Sequence, residues 1–171
     1  MGGNLYNGKT IKRESMESLV DSFIMSNGLY GIPKIICGSF RRGKQLSGDV
    51  ELVFHVHSIS EQRELEIEIA RIFGWTNKTT PNMHGMYGEC QFDLFIATDE
   101  TLGPMLLHAT GSWLFNKNMR EEARKMGFKL NQYGVFRRGS GELVCRGETE
   151  EKIFKYLRMD YVPPEERSVT Q

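Results

Sequence analysis

Residues 49–57, Asp-Val-Glu-Leu-Val-Phe-His-Val-His, constrain this chain more than any other stretch. Val50, Leu52, Phe54 and Val56 alternate with Asp49, Glu51, Val53, His55 and His57, which is the period of a half-buried strand. The strand opens with two carboxylates on one face. Such a pair repels unless a cation lies between its members. Magnesium takes oxygen ligands of this kind, as one or two carboxylates plus substrate phosphates. Just upstream lies Gly38-Ser39-Phe40-Arg41-Arg42-Gly43, a turn of small residues whose paired arginines can hold phosphates. Turn and strand together have the layout of a metal-dependent nucleotidyl-transfer site.

The rest of the chain reads as α+β. Residues 14–26 put Met16, Leu19, Val20, Phe23 and Ile24 on one helical face, with Asn27-Gly28 as the stop. Lys34–Cys37 reads as a short strand and Gly38–Leu46 as a loop with a helical turn. Ser58-Ile59-Ser60-Glu61 has the form of a capping box and opens a helix to about Phe73. Residues 75–89, with Pro81, Gly85 and Gly88, read as loop with hairpin pieces. Cys90–Ala97 reads as a buried strand interrupted by one acid. A second region begins near Thr98. It comprises a short helix at Leu102–His108, a longer helix from Thr110-Gly111-Ser112 to about Met126, hairpin strands at Gly134–Arg138 and Glu142–Arg146, a helix capped by Thr149, and an irregular tail. The expected division is a catalytic unit at 1–100 and a C-terminal unit at 101–171, joined by a hinge near residue 100.

Lys and Arg match Asp and Glu at 22 each, so net charge announces no partner. Their distribution says more. Seven Lys/Arg face three Asp/Glu in residues 1–44, three face ten in 45–100, and twelve face nine in 101–171. An acidic middle between basic ends suits a cation centre flanked by polyanion contacts. Cys37, Cys90 and Cys145 are scattered and odd in number, which argues against a disulfide framework or a zinc cluster. No apolar run approaches a membrane span and no signal pattern opens the chain, so the expectation is a soluble, intracellular protein with no membrane partner. His55 and His57 share a strand face, but two histidines without a third ligand make a poor zinc site. His84 reads as a loop residue.

Asp93 sits in Gln91-Phe92-Asp93-Leu94-Phe95-Ile96, too apolar a strand for an unpaired carboxylate. Packing beside Asp49 and Glu51 would complete a three-carboxylate cradle for two metal ions.

Four ordered motifs carry a resemblance to the family X DNA polymerases. They are Gly38-Ser39-Phe40-Arg41-Arg42-Gly43 ahead of Asp49-Val50-Glu51; Thr110-Gly111-Ser112 with Phe115-Asn116-Lys117-Asn118-Met119-Arg120; Lys129-Leu130-Asn131-Gln132-Tyr133-Gly134-Val135-Phe136; and Tyr161-Val162-Pro163-Pro164-Glu165-Glu166-Arg167. The resemblance spans about residues 14–167. It implies a nucleotidyltransferase palm, a mixed sheet with flanking helices, followed by a small helical and hairpin lobe. It implies that Asp49, Glu51 and Asp93 ligate two Mg2+ ions, with Mn2+ able to substitute, and that Asp93 can accept the hydroxyl proton. Gly38, Ser39, Arg42 and Gly48 would hold the β- and γ-phosphates. Gly111 would let the backbone approach the sugar or primer terminus, and Asn116 would reach the minor-groove edge of the incoming base. Lys117 and Arg120 would contact the template side. The implied activity is templated deoxynucleotide addition to a primer 3′-hydroxyl on DNA, filling short gaps in repair, by a monomer.

Four departures stand out. Glu51 is one methylene longer than the family's usual aspartate. His108-Ala109 replaces an aromatic pair at the sugar, Trp113 replaces a smaller residue near the base, and Gln91 replaces an arginine beside Asp93. The chain resembles the smallest viral members, and neither a lyase domain nor a DNA-gripping module fits before residue 14. DNA binding is then expected to rest on Arg124, Lys125, Lys129, Arg137, Arg138 and Arg146, and to be salt-sensitive. Two other readings stay open: a nucleotidyltransferase with another acceptor, and a nucleic-acid-binding module whose catalysis Glu51 has weakened.

Overall fold

The computed structural model describes residues 9–74 and 83–168. After a short edge strand, β1 (Ile11–Lys12), helix α1 (Arg13–Ser26) turns Met16, Val20, Phe23 and Ile24 inward at helical spacing. Next come β2 (Lys34–Ile36), the single turn α2 (Gly38–Arg41) and β3 (Leu46–Ser47), which pairs antiparallel with β1. The alternating stretch forms β4 (Val50–Val56). Helix α3 (Ile59–Ile72) is capped as expected: Ser58 Oγ accepts the Glu61 N–H at 3.2 Å. The reciprocal half of the capping box lands one residue early, because the Glu61 carboxylate accepts from the His57 N–H at 2.8 Å. Strands β5 (Met83–Tyr87) and β6 (Cys90–Thr98) follow.

These strands build a mixed sheet in the order β2-β4-β6-β5, with β4 and β6 parallel and the two outer pairings antiparallel. Val50, Leu52 and Phe54 are fully buried on the face shared with Met16 and Phe23 of α1 and Ile69 of α3. The other face is covered too. Cys37, Val53, Phe95 and Ala97 pack against Met105, Leu106 and Ala109 of helix α4 (Leu102–Thr110). Burial on both sides explains why β6 reads as a nearly unbroken apolar run.

Helix α5 (Trp113–Lys125) is N-capped by Ser112 and ends at Met126. Strands β7 (Phe128–Asn131), β8 (Gly134–Arg137) and β9 (Leu143–Cys145) form an antiparallel sheet, followed by α6 (Glu150–Tyr156) and a 3-10 turn at Pro164–Arg167. Leu107 of α4, Met119 and Ala123 of α5, Leu130, Val135, Ile153 and Phe154 make the core of this lobe.

Two strands differ from expectation. Residues 83–87, expected as loop with hairpin pieces, form a full strand, β5, in a hairpin with β6, and Tyr87 packs edge-on against Phe23 and Phe92 with ring centroids 5.3 and 5.8 Å away. Of the rest, Gly88-Glu89 is the turn between β5 and β6, and 75–82 lies outside the described residues. Residues 128–131, taken as part of a motif without a strand, form β7, so the expected hairpin is a three-stranded sheet. Asp49 stands just outside β4.

A buried ionic network joins the two halves. Glu150 of α6 accepts from Arg41 Nη2 of α2 at 2.7 Å and from Arg167 Nη1 at 2.5 Å. Arg167 has no exposed surface; its guanidinium lies over the rings of Phe115, Phe154 and Tyr161. Arg41 also donates to Thr110 Oγ1. Among the described residues no helix is long and apolar enough to cross a membrane. The three cysteines are free thiols.

Candidate active site

The parallel pairing of β4 with β6 sets Glu51 opposite Asp93 in register. In-register neighbours on adjacent strands project to the same face. Asp49, two residues before Glu51, brings the third carboxylate close enough to be felt. Burial and the charge of Asp93 raise the Asp49 carboxyl above its ordinary value, against the pull of Arg42. Burial, then Asp49 and Asp93, push Glu51 up to about 8, while Arg42 and a hydrogen bond from the Ser39 backbone oppose the shift. The Asp93 carboxylate accepts from Gln91 Nε2 at 2.9 Å, the position where the family resemblance expects an arginine.

All three donors are carboxylate oxygens, the set that suits a hard divalent cation, and a cation would relieve the repulsion that burial amplifies. The residues therefore fit the implied ions. Their oxygens are not drawn into one tight knot, since the group whose donor atoms all lie within 4.8 Å of one another is elsewhere in the described residues. Glu51 turns away toward the upstream turn. It leans onto Gly38, where an added Cβ would lie 1.2 Å from Glu51 Oε2, and Gly38 itself has φ +56°, in the left-handed region. The methylene that distinguishes glutamate from aspartate thus carries the carboxylate back to the Gly38-Ser39 turn.

Of the expected phosphate residues, Ser39 offers its backbone N–H to Glu51, while its hydroxyl donates to Ser47 Oγ at 2.8 Å. Arg42 feels the charges of Glu51 and Asp49, although burial pulls its own pKa down. Its Nη1 donates to the Thr110 carbonyl, and its Nε is buried with no partner among the described residues. Gly48 is half-buried, next to Asp49. The paired arginines separate: Arg42 faces the acids and Arg41 turns to Glu150.

Gly111 reaches this centre. Its backbone, at φ +68° and ψ −154°, is open only to glycine, and an added Cβ would lie 3.1 Å from Arg42 Nη1. Beyond it, Asn116 Nδ2 donates to the His108 carbonyl at 2.8 Å, and Arg120 Nη2 donates to His108 Nδ1 at 3.1 Å. His108 is therefore neutral there; burial and then Arg120 lower it to about 4. Trp113 is 73% exposed, with Lys117 Nζ 5.4 Å from its ring centre, so it is a surface aromatic and not part of the core.

Five of the eight expected DNA contacts, Arg120, Arg124, Lys129, Arg137 and Arg138, line one groove of about 680 Å³ on the C-terminal lobe, whereas Lys125 pairs with Glu122 and Arg146 with Glu100. Lys117 stands apart from it, beside Trp113.

Residues 105–168 match the DNA polymerase beta thumb family. The chain is 28% identical over 165 residues to DNA polymerase lambda of Rattus norvegicus, covering 80% of this chain and 29% of that one. It is 26% identical over 169 residues to the repair DNA polymerase X of African swine fever virus, isolate Tick/South Africa/Pretoriuskop Pr4/1996, covering 95% of this chain and 87% of that one. Along most of its length the chain is similar to family X DNA polymerases. A 79-residue match to DNA polymerase IV of Saccharomyces cerevisiae, at 34% identity, covers 46% of this chain and 13% of the yeast protein. The chain thus spans under a third of the length of the yeast and rat relatives. Its mixed sheet with flanking helices fits the polymerase beta-like nucleotidyltransferase fold.

Three residues escaped the sequence reading. His84, read as a loop residue, stands in β5 directly across from Asp93. Glu150 and Arg167 tie the C-terminal lobe to α2. For His84 the missed signal was the strand itself; for Glu150 and Arg167 nothing local in the sequence links residues that lie up to 126 positions from Arg41.

Proposed function

We propose that this chain is a DNA-directed DNA polymerase that adds deoxynucleotides to a primer 3′-hydroxyl, filling short gaps in DNA. The observation that carries the reading is the register of Glu51 with Asp93, with Asp49 and Arg42 within electrostatic reach. Asp49, Glu51 and Asp93 would hold two Mg2+ ions, or Mn2+ in their place, which when bound acidify the attacking hydroxyl and neutralise the triphosphate. The chain's own residues then divide the work. Arg42 is held by the Thr110 carbonyl so that its charge faces the acids, where the β- and γ-phosphates would lie. Gly38 and Gly48 would present their backbone to those phosphates once a bound cation draws the Glu51 carboxylate off Gly38. Asp93 accepts the hydroxyl proton. Gly111 brings the backbone to the sugar, and His108 anchors Asn116 through its carbonyl and Arg120 through its ring, so that Asn116 would reach the incoming base and Arg120 the template side. The basic groove holds template phosphates, with Lys117 and Trp113 at the base itself.

Glu51 favours a second reading, weakened catalysis, because its carboxylate lies on the Gly38-Ser39 turn that the phosphates would use. One experiment decides between them. Extension of a gapped duplex with Mg2+ and deoxynucleotides is expected for the wild type and abolished in Asp93→Asn. No extension by the wild type, with retained DNA binding, favours the binding module; equal extension of a single-stranded primer favours an untemplated transferase. Exchange of deoxynucleotides for ribonucleotides reads the sugar selectivity of the His108-Ala109 position.

A further inference from the structure

Two of the chain's four histidines lie at the far end of β4 from the carboxylates. His55 and His57 project on one face at strand spacing, about 13–20 Å along the strand from Glu51. The parallel register pairs Val56 with Thr98, so the next residue of each strand, His57 and Asp99, are brought side by side. The Asp99 carboxylate accepts from His55 Nε2 at 2.7 Å and from His57 Nδ1 at 3.1 Å, both on Oδ1. Three donor atoms from three residues thus lie within 4.8 Å of one another, the compact ligand set noted above. The third ligand that the sequence reading lacked is Asp99.

We propose that His55, His57 and Asp99 bind a single transition-metal ion of the zinc class, separately from the carboxylate centre. Two imidazoles and one carboxylate suit zinc, whereas the all-oxygen set of Asp49, Glu51 and Asp93 suits magnesium. The imidazoles open onto a cavity of about 610 Å³ that is also lined by Glu61, Glu64 and Glu68. Three acids draw a cation toward the site, and the cavity leaves room for the water that completes a three-ligand shell. Coordination requires only that each imidazole carry its proton on the other ring nitrogen, and that the donors separate by a few tenths of an ångström to the spacing set by metal–ligand bonds near 2.0–2.2 Å. His55 is partly buried and fixed in the sheet, while His57 and Asp99 are exposed enough to adjust. Asp99 lies just before Thr101, the N-cap of α4. A bound ion would therefore clamp the end of β4 to the turn that launches α4.

The test uses the full chain with Mg2+ in excess and Co2+ as the spectroscopic probe, followed by Zn2+ displacement. Expected is one tightly bound ion giving the intense visible absorption of low-coordinate nitrogen-ligated cobalt, bleached by Zn2+, together with a rise in melting temperature on adding Zn2+. His57→Ala, at an exposed position, and Asp99→Asn should each weaken binding by more than about a hundredfold, the upper end of what losing an outer partner costs. Asp93→Asn should leave the signal intact. Absence of the band in the wild type, its persistence in His57→Ala, or its loss in Asp93→Asn overturns the proposal.

Discussion

Replacing Glu150 with Gln keeps its shape and removes the one charge that faces both Arg41 and Arg167. Arg167 has no exposed surface, and Glu150 is itself 3% exposed, so water cannot take over the lost partnership. Arg41, 23% exposed at its side chain, recovers part of its hydration and contributes less to the loss. Breaking a buried pair by removing one partner costs about 3–5 kcal/mol. For a chain of this size each kcal/mol moves the melting temperature by about 2–4 °C, so the expected drop is about 6–20 °C. Thermal and urea unfolding of the full chain measure it. Arg167→Met alone should cost a similar amount by stranding Glu150 with half its partners. The double variant Glu150→Gln with Arg167→Met should be less damaging than the two single losses added together, because only the partly hydrated Arg41 is then left without its ion-pair partner. A Glu150→Gln loss below about 1 kcal/mol, or strictly additive singles, would refute the view that this network holds the lobes together.

Gly38→Ala forces a side chain into the left-handed region and into the Glu51 carboxylate. We expect a loss of about 1–2 kcal/mol from the backbone alone, read by urea unfolding, and collapse of gapped-duplex extension; unchanged stability would count against the described packing. His108, lowered to about 4 in the folded chain from an ordinary 6.5, stays neutral where the unfolded chain charges it. Its contribution to stability is complete above pH 6.5 and is lost as pH falls toward 4, so melting temperature should decline across that window and decline less in His108→Phe. Burial lifts the Cys37 thiol to about 12, so at pH 8 a thiol reagent should label Cys90, which is half-exposed, well before Cys37; equal labelling rates in the native protein would contradict this burial.

The strand carrying Asp49 and Glu51 was legible because its alternation is long and its inward residues are all aliphatic or aromatic. Asp93 was legible for the opposite reason, as one acid in an apolar run. β5 was not, because Gly85 and Gly88 resemble turn punctuation and only the distant rings of Phe23 and Phe92 make Tyr87 a strand residue. β7 alternates over only four residues, too few to separate from a loop. Arg41 and Arg42 looked equivalent, but consecutive positions of a helical turn point about 100° apart, and one met Glu150 instead of the acids. Glu150 stands in the first turn of α6, where an acid is commonplace and marks nothing. What buried it were two arginines from remote parts of the chain. Asp99 has no local mark at all, because only sheet register reveals that it lies alongside His57.

Helix α4 belongs by sequence to the second half of the chain, yet it seals the back of the first half's sheet with Met105, Leu106 and Ala109 and joins the second core through Leu107. Cutting the gene after residue 100 would strip that cover and leave Val53, Phe95 and Ala97 facing water. Neither piece is a free-standing module: a recombinant 1–100 fragment should precipitate, and grafting this lobe onto another scaffold would require carrying α4 along with it.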